Sequence, residues 1–176
     1  MSSRRLDYPR SMQATLVPVE EYLSTNYDPD CEYVDGQIVE RNLGEKTHSR
    51  IQGELLFHLR ARAKELGMEV LPEQRVQVSK KRYRIPDVTV LRDSDERIVT
   101  SPPFICIEVL SKDDTMQYMQ DKIDDYLDFG VPYVWIINPR NKKAYVVTRA
   151  GMVEAASGTL ETKDPVIRLP LSVLFE

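Results

Sequence analysis

The sequence predicts a single α/β domain, built on a mixed β-sheet that helices flank, with one hairpin near each end of the chain. Two amphipathic helical patterns alternate with apolar segments of strand length. The second helix stands between two apolar strands, a spacing that gives a crossover between adjacent parallel strands. Asp35-Gly36 and Ala150-Gly151 each separate short segments of alternating polarity, which is typical of hairpins.

The first part of the chain predicts a tail, a short helix, the N-terminal hairpin and a long helix. Residues 1–14 are polar and aperiodic, as in a flexible tail, so the domain is expected to span residues 15–176. Pro18 favours the first turn of the short helix. The long helix is predicted over residues 47–66, with Gly67 as its stop, because apolar residues recur on one stripe. That stripe consists of Ile51, Leu55, Leu59, Ala63 and Leu66.

The rest of the chain predicts the central strands and a second helix. Strands are expected at 69–78, 83–91, 104–110 and 131–137, followed by a hairpin at 143–149 and 152–156. Because strand 104–110 is apolar on both faces, we expect it at the centre of the sheet. The helix is predicted over 115–129, with Gly130 as its cap and an apolar stripe of Met116, Met119, Ile123, Tyr126 and Leu127. Residues 166–171 are expected to cover a sheet edge.

Composition favours a globular protein of the cytoplasm. The chain is 41% hydrophobic and 30% charged, and it contains no apolar run of the roughly 20 residues that span a bilayer. We expect neither membrane association nor a secretory signal. Cys31 and Cys106 make no disulfide framework, and Cys106 is expected to be a buried thiol. A net charge of −4 argues against binding nucleic acid by overall charge, but a local basic rim remains compatible with it.

Two carboxylates, Asp87 and Glu108, interrupt apolar strands. A buried carboxylate is costly to keep ionised unless it is paired, hydrogen-bonded or bound to a metal. On neighbouring strands, the two would make a hard-oxygen site for a divalent cation. The alternative is that each caps a backbone group or pairs with Arg84 or Lys122. Pro86 lacks an N–H group, which suggests an edge or a bulge that re-aims Asp87.

Lys122 lies on the flank of the second helix's apolar stripe, so its ammonium can extend toward Glu108 while its methylenes stay packed. The alternative is an ordinary surface lysine. Carboxylates that hold Mg²⁺, with an ammonium nearby, are the groups that phosphodiester hydrolysis uses. A non-catalytic nucleic-acid-binding or scaffold domain remains an alternative. A carboxylate-pair hydrolase acting on a sugar or small molecule needs no lysine, so Lys122 counts against it.

An ordered series of segments resembles the Uma-two family, of the PD-(D/E)XK restriction-endonuclease-like superfamily. The series is Pro86-Asp87, Glu108-Val109-Leu110-Ser111, Lys122 with Tyr126, and Gly130-Val131-Pro132-Tyr133-Val134-Trp135-Ile136-Ile137-Asn138-Pro139. Glu20-Glu21-Tyr22-Leu23, the N-terminal hairpin and His48 also fit, and the resemblance covers roughly residues 15–176.

The resemblance implies a restriction-endonuclease-like core and a Mg²⁺- or Mn²⁺-dependent endonuclease, a hydrolase with DNA as its substrate. It makes Asp87 and Glu108 the metal ligands and, with Lys122, the catalytic residues. One departure is that the superfamily places its lysine two residues after the second acid, where this chain has Leu110. The family resemblance accommodates this by moving the lysine to the next helix, at Lys122.

Two further residues of the long helix are candidates for the site. Glu54 could contribute an additional acid, with a solvated helix glutamate as the alternative. His48 could contact phosphate or assist proton transfer, with helix capping or a surface position as the alternative. His58 is expected at the surface. Because cutting both strands of a duplex is simplest with two sites, we expect a homodimer.

Overall fold

The structure is a computed structural model that describes residues 16–41, 45–92 and 96–175, so the tail predicted over 1–14 lies outside the described residues. In chain order the elements are α1 (Val19–Ser24), β1 (Cys31–Val34), β2 (Gln37–Glu40), α2 (Lys46–Glu65), β3 (Met68–Pro72), β4 (Val76–Ser79), β5 (Arg82–Arg84), β6 (Val88–Arg92), β7 (Ile105–Val109), α3 (Met116–Phe129), β8 (Tyr133–Asn138), β9 (Lys143–Thr148), β10 (Gly151–Glu154), β11 (Thr159–Glu161), β12 (Arg168–Pro170) and α4 (Ser172–Phe175).

A six-stranded mixed sheet forms the centre of the fold, in the order β10-β9-β8-β7-β6-β3. β7 and β8 are parallel neighbours joined through α3, whereas the other pairs in this sheet are antiparallel. The predicted crossover and the central, fully buried position of β7 are therefore confirmed. Side chains of α2 and α4 share one core cluster with one face of the sheet, and those of α3 share a second cluster with the other face.

A separate four-stranded sheet, in the order β2-β1-β5-β4, carries the N-terminal hairpin. Its presence corrects two predicted strands, 69–78 and 83–91, because each is divided between the two sheets. The first breaks after β3, where Glu73 adopts φ 49°, a left-handed conformation that ends the strand. The second breaks at Ile85-Pro86-Asp87, where proline supplies no N–H group to a ladder.

The two long helices follow their predicted apolar stripes, with exceptions at their ends. Ile51, Leu55, Leu59 and Ala63 of α2, and Met119, Ile123 and Tyr126 of α3, are buried. Leu127 is partly buried against the same cluster as α3, and two predicted stripe residues are exposed. Leu66 follows the end of α2 and is 40% exposed, and Met116 is 93% exposed because it lies in the first turn of α3, ahead of the packed part. Thr115 accepts a hydrogen bond from the Tyr118 N–H group, and Gly130 ends the helix at φ 107°.

The C-terminal segment, predicted to cover a sheet edge, contributes to the core. Ile167, Leu169 and Leu174 are buried in the cluster that α2 forms with the large sheet. Both cysteines are buried and free, as expected for Cys106. None of the helices in the described ranges is long and apolar enough to cross a membrane.

Candidate active site

Asp87 and Glu108 line the same pocket, at the end of the large sheet where β6 begins and β7 ends. The antiparallel register pairs Val88 with Ile107, and continuing it by one residue places Asp87 opposite Glu108. The N–H group of Val109 donates a 2.8 Å hydrogen bond to Asp87 Oδ2, which fixes the carboxylate against β7. The two strand carboxylates therefore converge on one space.

Asp87 is held by two basic side chains in addition to this backbone hydrogen bond. Arg41 Nη2 lies 3.2 Å from Oδ1, and His48 Nε2 lies 3.1 Å from Oδ2. Burial opposes ionisation of Asp87, but the hydrogen bond from His48 and the charges of His48 and Lys122 outweigh it and lower the carboxyl pKa. Asp87 is thus an ionised carboxylate at neutral pH.

Glu108 is surrounded differently, by the buried side of α3. The Tyr126 hydroxyl donates a 2.6 Å hydrogen bond to Oε1, and Lys122 Nζ lies 2.8 Å from the same oxygen. Burial raises the pKa of Glu108 to about 7, with the charge of Lys122 acting against it. This carboxyl therefore gains or loses its proton close to neutral pH, unless a further cation stabilises its charge.

Lys122 is buried, with 4% of its surface exposed, which makes the surface-lysine alternative wrong. Its ammonium contacts Glu108, as expected, and also lies 3.1 Å from Oε1 of Glu32 on β1. Burial disfavours the charged amine, but Glu108 and Glu32 outweigh burial and raise the pKa of Lys122. The lysine is accordingly a fixed positive charge in the wall of the pocket.

Glu32 is a third buried carboxylate, which the sequence reasoning missed. It is fully buried and accepts hydrogen bonds from Arg84 Nη1 at 2.8 Å, the Ile85 N–H group at 2.9 Å and the Tyr118 hydroxyl at 3.0 Å. Arg84 therefore neutralises Glu32 and not Asp87, against one of the alternatives above. The signal that could have revealed Glu32 is its place in a predicted strand between two less polar residues, Cys31 and Tyr33. The structure buries all three.

With this geometry in place, comparison with known proteins identifies the family. The family model Uma2, described as "Putative restriction endonuclease", matches residues 19–173. The chain belongs to the Uma2 family. No curated protein matches its sequence.

One solved structure confirms the fold of this Uma2 protein. It is a "putative nuclease belonging to DUF820" from Anabaena variabilis, with a TM-score of 0.77 at 20% sequence identity, covering 89% of this chain and 96% of that one. The restriction-endonuclease-like fold class is thus confirmed. A DrdV–DNA complex matches with a TM-score of 0.38 and 13% identity, over 72% of this chain and 12% of that one, which is too weak a likeness to support an argument.

Arg41 and His48 complete the pocket of the Uma2 protein on the side of Asp87. His48 lies in the first turn of α2, and its hydrogen bond to Asp87 raises the imidazole pKa against the effect of burial. Its alternative role as a helix cap is not what the structure shows, because the ring contacts Asp87. Arg41 follows β2 and also contacts Glu73, at 3.4 Å. Sequence reasoning missed Arg41, since nothing in its local pattern distinguishes it from other arginines.

Glu54 is not brought to this pocket. Its carboxylate lies 3.5 Å from His58, one helical turn along α2, and the two line a separate pocket with Arg50 and residues of α4. Both side chains are about one-third or more exposed. Glu54 therefore fits its alternative, a partly solvated helix glutamate.

The donor set decides which cation the pocket suits. Within the described ranges, no group of three or more His, Cys, Asp or Glu side chains is arranged to hold a metal ion. Zn²⁺ takes three or four protein ligands that are largely nitrogen or sulfur, so this pocket does not suit it. Mg²⁺ keeps several waters and uses one or two carboxylates, a requirement that Asp87 and Glu108 meet.

Proposed function

We propose that this Uma2 protein is a divalent-metal-dependent endonuclease that hydrolyses phosphodiester bonds in DNA. The observation that carries the proposal is the convergence of Asp87 and Glu108 on one pocket, with the Lys122 ammonium 2.8 Å from Glu108. Two carboxylates and a buried ammonium are the groups that metal-assisted phosphoryl chemistry requires. The family description supports the same reaction class.

Asp87 and Glu108 would hold Mg²⁺ or Mn²⁺ through carboxylate oxygen atoms. When bound, the ion supplies Lewis acidity and lowers the pKa of a water molecule that attacks phosphorus. The contacts of Glu108 among the described residues go to Oε1. Tyr126 thereby fixes the orientation of the carboxylate, and the second oxygen would be the one available to the ion.

Lys122 has the role of a catalytic lysine in this proposal. Its ammonium stays charged at neutral pH and is held in the pocket wall, where it can donate a hydrogen bond to the attacking water or to a phosphate oxygen. The charge that develops on phosphate in the transition state is then met by a group that needs no reorganisation. Beside Asp87, Arg41 and His48 would supply positive charge to the scissile phosphate.

DNA is proposed as the substrate because of the family description and the basic residues beside the pocket. Lys112 and Arg140 line a neighbouring pocket that shares His48 with the site. Since the whole chain carries a net charge of −4, phosphate contacts would be confined to this local rim. We also propose a homodimer, which would place one site on each strand of a duplex; light scattering of the purified protein tests it.

One observation favours a second candidate, binding of nucleic acid without cleavage. Asp87 already has basic partners within the chain, Arg41 and His48, and a carboxylate so engaged is less available to a metal ion. In that case the pocket would bind phosphate through its cations. The two candidates differ in one measurable property, the conversion of intact DNA to nicked or linear products.

The test incubates supercoiled plasmid with the purified protein in Mg²⁺, Mn²⁺ or EDTA. We expect cleavage with either metal and none with EDTA. Asp87→Asn, Glu108→Gln and Lys122→Met should each reduce the cleavage rate by more than the roughly 100-fold that loss of an outer-shell partner causes. Glu54→Gln is the matched control, since it removes a carboxylate of the same protein outside the pocket, and it should cleave at the wild-type rate.

The proposal is overturned if the wild-type protein binds DNA but does not cleave it with either metal. It is also overturned if the three pocket variants cleave as well as Glu54→Gln. The first result would select the binding function, and the second would place the catalytic residues elsewhere.

A further inference from the structure

Lys122 has two carboxylate partners, and only one of them belongs to the pocket. Nζ lies 2.8 Å from Glu108 Oε1 and 3.1 Å from Glu32 Oε1. Glu108 lines the pocket with the ammonium, whereas Glu32 is fully buried behind it and is not a lining residue. Glu32 therefore cannot touch a substrate, although it touches the proposed catalytic lysine.

The position of Glu32 is fixed from several directions. Oε1 accepts from the Ile85 N–H group, and Oε2 accepts from Arg84 and from the Tyr118 hydroxyl. Arg84 is held in turn by Asp125 of α3, at 2.7 Å. A buried carboxylate with this many donors is a rigid acceptor, because any displacement would leave several donors unsatisfied.

Charge balance gives this arrangement its significance. If Glu108 were the sole partner of Lys122, a divalent ion bound by Glu108 would withdraw the charge that stabilises the ammonium and would repel it. A second carboxylate, outside the pocket and 3.1 Å from Nζ, holds the ammonium in place while Glu108 is engaged with a metal. The small sheet thus supplies, through Glu32 of β1, a second carboxylate for Lys122 in addition to Glu108 of the large sheet.

We propose that Glu32 is a positioning residue that anchors the Lys122 ammonium at the pocket wall independently of Glu108. The expected effect of Glu32 on the cleavage rate rests on the proposed function. Its expected effect on the position of the Lys122 ammonium does not. The two effects can be measured separately, one on cleavage and one on the ammonium group.

The ammonium readout is NMR of the lysine side-chain NH₃⁺ groups in the full-length protein labelled with ¹⁵N-lysine. An ammonium that is buried and held by carboxylates exchanges its protons slowly, so Lys122 should give a signal that Lys122→Met removes. Glu32→Gln should broaden this signal beyond detection or shift it. The matched control is Asp125→Asn, which removes a carboxylate from the same network through Arg84 without touching Lys122, and it should retain the signal.

The kinetic readout is the split between kcat and KM on plasmid DNA. Glu32→Gln should lower kcat by about 10- to 100-fold, the range typical of an outer-shell partner, and leave KM unchanged because Glu32 does not reach the substrate. Asp125→Asn should lower kcat far less. Tyr118→Phe removes one hydrogen bond to Glu32 and should give a loss between those of the two variants.

Each result decides the proposal. Loss of the ammonium signal and of kcat in Glu32→Gln but not in Asp125→Asn supports it. A wild-type spectrum without a Lys122 signal, an unchanged signal in Glu32→Gln, or an equal effect of Asp125→Asn overturns it. If Glu32→Gln does not fold, Tyr118→Phe and Glu32→Asp replace it, and an unchanged Lys122 signal in both overturns the proposal. If the wild-type protein cleaves no DNA, the proposed function fails while the ammonium readout still tests the anchor.

Discussion

Asp87 and Glu108 line one pocket, yet their charges are stabilised by different kinds of partners. Asp87 contacts Arg41 and His48, whose side chains are each 15% exposed, and receives a backbone hydrogen bond. Glu108 contacts Lys122, whose side chain is 5% exposed, and a buried tyrosine hydroxyl. The carboxyl pKa is lowered in Asp87 and raised to about 7 in Glu108.

The difference indicates that the two sides of the pocket have separate tasks. The cations beside Asp87 are partly exposed, so they can exchange with a metal ion or move to a phosphate group at a lower energetic cost than the enclosed cation beside Glu108. The cation beside Glu108 is enclosed and cannot leave without exposing unpaired carboxylates to the protein interior. We expect Asp87 to be the side at which cations exchange, and Glu108 to be the side whose geometry stays fixed.

The largest effect is expected from removing the enclosed cation. Lys122→Met leaves Glu108 and Glu32 without their shared partner, and loss of one member of a buried pair destabilises by about 3–5 kcal/mol. Urea unfolding of the variant measures this free energy. The double variant Lys122→Met/Glu108→Gln should recover part of the loss, and a loss below about 1 kcal/mol would contradict an enclosed lysine.

Metal binding should stabilise the folded protein next most strongly. With Mn²⁺ at about 100 times its dissociation constant, linkage predicts a gain of about 2.7 kcal/mol, which thermal unfolding detects as a higher Tm. Asp87→Asn and Glu108→Gln should abolish the gain, whereas Glu54→Gln should retain it. An equal gain in all three variants would mean that the ion binds outside this pocket.

Removing the exchangeable cation should have a smaller effect than removing Lys122. Arg41→Met is expected to lower the free energy of unfolding by about 1.5 kcal/mol, the low end for a hydrogen bond to a charged group, because Asp87 keeps His48 and the Val109 N–H group. The same variant should bind Mn²⁺ more tightly in calorimetric titration. Weaker binding would show that Arg41 supports the ion instead of competing with it.

The smallest effect is expected from Tyr126→Phe. The variant removes the 2.6 Å hydrogen bond to Glu108 without changing the size of the ring, so the loss should be about 1 kcal/mol in urea unfolding. Glu108 retains its ion pair with Lys122. A loss as large as that of Lys122→Met would show that the hydroxyl, and not the ammonium, is the main partner of Glu108.

Sequence reasoning reached the fold and the pair of strand carboxylates because both depend on local patterns. Apolar periodicity placed α2, α3 and β7, and the strand–helix–strand spacing gave the parallel pairing of β7 with β8. A charged residue in an apolar strand is visible without any structure, which is how Asp87 and Glu108 were found. Lys122 followed from its phase on the helix.

The remaining features depend on contacts between distant parts of the chain. Glu32 meets Tyr118 across 86 positions, and Arg41 meets Asp87 across 46. No local pattern encodes such a meeting. The division of two predicted strands between two sheets was missed for a related reason. The strand pattern in the sequence continues through the point at which the chain leaves one sheet and enters the other.

The register of β7 against β6, which the hydrogen bond from the Val109 N–H group to Asp87 helps to fix, also limits how the chain can vary. Side chains alternate across a strand, so a shift of β7 by one residue would turn Glu108 toward α2 and Ile107 toward the pocket. Every residue of the site would still be present in such a protein, but Glu108 would no longer face the pocket. Insertions are therefore expected to be tolerated in the loop before β7 and excluded from the strand itself, even where the overall fold survives.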